Sequence, residues 1–73
     1  MTALTVHVNR PDLVDDLVVC FRNSGCAAQR TGRHSCAVQH TAALDEREAR
    51  LEVRFFVRAW QARHGFVWAL VAP

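Results

Sequence analysis

The sequence predicts an α+β domain whose elements run β-α-β-β-α-β. Three observations carry this. ALTVHV, residues 3–8, alternates apolar and polar residues, as a half-buried strand does. Two longer stretches, opening near Pro11 and Asp45, space apolar residues by three and four and end on glycine. Between them, CAAQR and SCAVQH flank TGRH and read as a β-hairpin.

In the first strand Leu4, Val6 and Val8 share one face, and Thr5 and His7 the other. The first helix has Asn9 or Arg10 at its start, Pro11 in its first turn, and Asp12, Asp15 and Asp16 near the positive end of its dipole. Leu13, Val14, Leu17, Val18, Cys20 and Phe21 form its buried stripe, and Ser24-Gly25 closes it. In the hairpin, the cleanest division buries Cys26, Ala28, Cys36 and Val38 and turns Ala27, Gln29, Ala37 and Gln39 outward.

Asp45 is the expected N-cap of the second helix, with Glu48 at the capping-box position and Leu44 and Ala49 at the staple positions. This helix should run to His64 and stop at Gly65. FVWALV, residues 66–71, is the last strand. The order is the ferredoxin-like split βαβ: a four-stranded antiparallel sheet with two helices on one face, the first and third strands central.

Seventy-three residues make one domain, 1–73, with a thin core, and chains this small often rely on a staple, a metal or a partner. All nine basic residues are arginine, and the formal charge of +2 is too mild to demand a nucleic-acid partner. No stretch has the pattern of a signal peptide or the ~20 apolar residues of a membrane span. The expected location is therefore cytoplasmic, with reduced thiols.

Cys26, Cys36 and His40 could be ligands of a zinc-holding module, yet C-x5-C-x9-C lacks the close pairs of a zinc knuckle. A three-residue hairpin connection would make Cys26 and Cys36 diagonal neighbours, about 7–8 Å apart and too far for a relaxed disulfide. A two-residue turn on Gly32-Arg33 would put them on opposite faces. The expectation is buried cysteines, no resident metal and no cofactor. No set of residues supplies a base, a nucleophile and an oxyanion site at plausible spacings, so the chain is not read as an enzyme.

The second helix carries three ridges. Ala49, Val53, Phe56, Val57 and Trp60 form the core stripe. Arg47, Arg50, Arg54 and Arg58 form a basic face that could follow a nucleic-acid backbone or meet an acidic protein. Leu51, Phe55, Ala59 and Ala62 form a further apolar ridge that one sheet does not need. The last strand is apolar on both faces, and the set Val67, Ala69 and Val71 is assigned to the outer sheet face. Leu51, Phe55 and Ala62 together with that set make the expected partner interface, in a homodimer or with another protein.

LTVHVNRPDLVDDLVVCFRNSGCAAQR resembles the first half of ACT-like regulatory domains, which read strand, Asp-Arg-Pro-Gly-Leu-Leu, helix, glycine, strand. The matching positions are Asn9, Arg10, Pro11, Asp12, Leu13 and Val14, followed by Gly25, with Asp12 where that pattern has glycine. The resemblance implies a non-enzymatic, pairing module that binds a small ligand near the first strand–helix turn, at Asn9, Arg10 and Asp12. Altogether the sequence reads as a self-associating regulatory or adaptor module.

Overall fold

The computed structural model describes residues 3–72. Along them run β1 (Leu4–Val8), a 3-10 turn (Pro11–Leu13), α1 (Val14–Asn23), β2 (Ala27–Gly32), β3 (Ser35–Gln39), α2 (Glu46–His64) and β4 (Ala69–Val71). The strands form one antiparallel sheet in the order β2-β3-β1-β4, so β1 and β3 are central and β2 and β4 are edges. Leu4, Val6 and Val8 of β1 share a core with Phe21 of α1 and Val53, Val57 and Trp60 of α2, while Thr5 and His7 look the other way. This α+β architecture is compatible with a ferredoxin-like fold.

Local chemistry sets the helix ends. Arg10 holds the extended conformation (φ −112°, ψ 103°) that a following proline favours, so the chain turns only at Pro11. At the far end of α1, Gly25 has φ 88°, and the Cys26 and Gly25 amides donate to the Phe21 and Arg22 carbonyls at 3.0 and 3.2 Å. These two bonds make a Schellman stop, which needs a residue free to adopt left-handed backbone. The Asp45 carboxylate caps α2 by accepting the Glu48 amide at 2.8 Å. Asp45→Ala should lower stability by about 1 kcal/mol, read as a shift in urea midpoint at unchanged slope.

The staple at Leu44 and Ala49 is not formed. Asp45 is fully extended (φ −152°, ψ 176°), Leu44 is 88% exposed, and Ala49 packs on the core instead. The hairpin register also differs from expectation. Gly32 pairs with Ser35 across a two-residue turn on Arg33-His34, and a bulge at Thr31 restores the inward set. Ala27 pairs with Gln39, which sets Cys26 beside His40 and leaves Cys36 four residues away, about 13 Å along the strand. The cysteines are therefore neither diagonal neighbours nor on opposite faces, and all three are free.

The larger correction concerns the last strand. Residues that pair across a sheet share a face, and Val71 pairs with buried Val6 while Leu70 pairs with exposed His7. Val67 (6% exposed) and Val71 (8%) therefore belong to the core, Ala69 packs against it, and Phe66, Trp68 and Leu70 are the outward set. Regular pairing begins only at Ala69. Before it the chain is pinned by other bonds: the Val67 amide to the Gly65 carbonyl at 2.7 Å, and the Trp68 amide to Asn9 Oδ1 at 2.7 Å.

Candidate functional site

At the β1–α1 turn, each of the three expected ligand-binding side chains has a protein partner. Asn9 clamps the segment before β4: its amide donates to the Trp68 carbonyl at 3.0 Å and its side-chain oxygen accepts from the Trp68 amide. Arg10 and Asp12 grip each other through two hydrogen bonds, 3.2 and 2.7 Å, and this contact pulls the Asp12 carboxyl below its ordinary value. Arg30, not singled out in the sequence, closes the turn from the hairpin. Its guanidinium donates to the carbonyls of Gly32, Arg33 and Pro11 at 2.9, 2.8 and 3.2 Å and pairs with Asp15 at 3.2 Å.

Cys26, Cys36 and His40 do not converge. His40 is buried, tilted over the Phe56 ring with centroids 5.8 Å apart, and its Nε2 pairs with Glu52 of α2. Among the described residues, no three His, Cys, Asp or Glu side chains are grouped as a metal site requires. Burial, then the nearby Glu52 and Cys20, pushes the Cys26 thiol up. Burial alone pushes Cys36 to about 11.

A raised thiol pKa means the folded state favours the protonated form. The Cys36 contribution is therefore fully present below the ordinary thiol value of about 8.5 and is lost as pH rises from there through about 11. The urea midpoint should fall across that window, and Cys36→Ala should flatten the fall. An unchanged slope in the variant would assign the loss to other groups.

Between α1, from its first turn onward, and the last turn of α2 lies a cleft lined by Asp16, Val19, Cys20, Arg63 and His64. Asp16 Oδ2 accepts from Trp60 Nε1 at 2.7 Å and pairs with His64 Nε2 at 3.0 Å, and the His64 and Trp60 rings are 4.7 Å apart. Arg63 reaches Cys20 Sγ at 3.3 Å. No hydrogen bond among the described residues joins Cys20 to His64, so the cleft lacks the nucleophile–base contact of cysteine catalysis. Its bonds tie α1 to α2.

The apolar ridge of α2 is different: among the described residues, its one ring contact is that of Phe55 with the neighbouring Phe56, edge to face at 6.3 Å between centroids. At 100° per residue, Leu51, Phe55 and Ala62 stand opposite Val53 and Trp60, on the crown of the helix layer. Leu51 is 59% exposed and Phe55 68%. Beside the crown, on the β4 flank, Arg47, Arg54 and Arg58 are exposed, with no ion pair or hydrogen bond among the described residues. Arg50 is half-buried and donates to the Ala72 carbonyl at 3.4 Å, so the basic face is three free arginines and one engaged one.

On the far face of the sheet, the outward residues of β1, β2 and β3 are small or polar: Thr5, His7, Ala27, Gln29, Ala37 and Gln39. Large apolar groups there come from Trp68 and Leu70, at the β4 corner. No helix among the described residues is long and apolar enough to cross a membrane. No protein-family model matches the chain, nor does any curated protein or solved structure.

Proposed function

We propose that this chain is a ferredoxin-like βαββαβ domain that acts without catalysis, as a self-associating adaptor or regulatory module whose contact surface is the crown of α2. The observation that carries the reading is the exposure of Leu51 and Phe55 on a ridge that continues into alanines, opposite a helix face already buried. That ridge suits a second copy. Its large residues lie in the N-terminal half and its small ones, Ala59 and Ala62, in the C-terminal half, so two antiparallel α2 helices lay large on small.

Charge supports the same arrangement. The first turn of α2 carries Glu46 and Glu48 and the last turn Arg63 and His64, so an antiparallel pair sets acidic turns toward basic ones. A two-fold between Phe55 and Arg58 sets Leu51 over the partner's Ala62 and Phe55 against the stem of the partner's Arg58, next to Ala59. The three free thiols fit a reducing, cytoplasmic setting. Small-ligand binding of the ACT-like kind is not part of this reading, because Asn9, Arg10 and Asp12 are engaged with protein groups.

Site-directed cross-linking tests the antiparallel pairing. In a Cys20→Ser background, a mixture of Leu51→Cys and Ala62→Cys proteins should oxidise to a disulfide-linked dimer faster than either protein alone. Equal rates in all three samples would contradict the arrangement.

A further inference from the structure

β4 is an edge strand, and its free side is armed for pairing. The Trp68 carbonyl accepts from Asn9 and the Ala72 amide donates to the Thr5 carbonyl, so residues 68, 70 and 72 direct their backbone groups toward β1. By antiparallel alternation, the amides and carbonyls of Ala69 and Val71 point off the sheet. The other edge, β2, carries the bulge at Thr31, a common guard against strand addition. Between Ala69 and Val71, β4 has no bulge, proline or charged residue.

Alongside this edge runs a groove of about 250 Å³, floored by Val57 and walled by Arg54, Arg58 and Gln61 of α2 and by Leu70. Gln61 is bonded to the Val67 carbonyl, whereas Arg54 and Arg58 have no partner among the described residues. A second copy is the wrong occupant. Edge-to-edge pairing of two β4 strands about a two-fold would bring the two arginine flanks against each other, at a cost from like charges.

We propose that the β4 edge takes an extended acidic segment of a partner protein as a fifth strand. The backbone of that segment bonds Ala69 and Val71, and its helix-side residues present carboxylates to Arg54 and Arg58. The spacing suits this. Residues i and i+2 of a strand are roughly 6.8 Å apart, and residues four apart on a helix rise about 6 Å. The alternate residues of the segment lie beside Leu70 on the outer face and are apolar, so the recognised pattern alternates acidic and apolar residues. The β4 edge and Arg54 lie off the α2 crown and a crown-to-crown contact leaves them open, whereas Arg58 borders that contact, so the titration is run at concentrations where the single chain prevails.

The test uses a blocked peptide, Glu-Val-Glu-Val-Glu-Val, labelled for fluorescence anisotropy and also added to isotope-labelled protein for amide hydrogen exchange. Its controls are the Lys-Val counterpart, hexaglutamate and a single-stranded oligothymidylate. The proposal predicts saturable binding of the Glu-Val peptide over all three controls, weakened by salt. It also predicts slowed exchange centred on the Ala69 and Val71 amides, and an affinity loss of about tenfold in the Arg54→Ala/Arg58→Ala double variant. Three results would each overturn it: equal binding of the lysine peptide or hexaglutamate, peptide binding without protection at Ala69 and Val71, or tighter binding of the oligonucleotide, which would make the arginine flank a nucleic-acid surface.

Discussion

Replacing Trp60 with alanine should lower the stability of the domain by about 3–5 kcal/mol. Trp60 is fully buried at the centre of the core, and its indole N–H donates to Asp16 across the helix layer at 2.7 Å. Truncating a buried aromatic to alanine costs about 3–5 kcal/mol, by lost transfer energy and the cavity left behind. A chain of this size has a total stability of roughly 4–11 kcal/mol, so one substitution removes from about a quarter to all of it. Trp60→Phe should cost less, about 1–2 kcal/mol, because most of the ring volume stays and the losses are the N–H contact to Asp16 and the gap left by the smaller ring.

Circular dichroism with urea titration reads both variants. The titrations need a fixed protein concentration, since self-association would add its own stabilisation. A cooperative Trp60→Ala protein melting within a few degrees of the parent would show that the core does not close around this residue.

What the sequence disclosed follows from what one strand or helix can encode alone. The alternation in β1, the proline and glycine around α1, and Asp45 before α2 are local signals, and each sits where the structure uses it. The inward set of the hairpin was legible from its apolar and polar positions, but its turn was not, because the bulge at Thr31 leaves no compositional trace.

Residues 66–71 misled for a plain reason. Both alternating sets are apolar, so periodicity cannot choose the buried face, and the choice falls to the pairing of Val71 with Val6. The bond between Asp16 and Trp60 spans 44 residues and was invisible for the same kind of reason. One sequence signal does point toward it: a buried indole N–H usually needs an acceptor, and an acid in the facing helix can provide one. Arg30 had no such signal, since its partners are mostly backbone carbonyls brought together by the turn. On the α2 crown, by contrast, Leu51, Phe55 and Ala62 were legible because a third ridge on a helix covering one sheet exceeds what the core can bury.

The second large effect is expected at Phe55. Phe55→Arg should leave the fold nearly unchanged, within about 0.5 kcal/mol, because the ring is mostly in solvent in the single chain. In a crown-to-crown dimer the same change sets a guanidinium in the contact twice, each beside the partner's Arg58 and repelled by it. Self-association should weaken at least about 100-fold. Arg47→Ala, on the exposed flank at the first turn of the helix, serves as the matched control and should have little effect.

Light scattering across a concentration series, on the wild-type chain and on Phe55→Arg side by side, tests the central claim most directly. The wild type should rise with concentration toward twice the 8.2 kDa chain mass, and Phe55→Arg should stay at the single-chain value throughout. A wild-type protein that remains at 8.2 kDa at the highest concentration, or a Phe55→Arg protein that associates as well as its parent, would contradict self-association through the α2 crown.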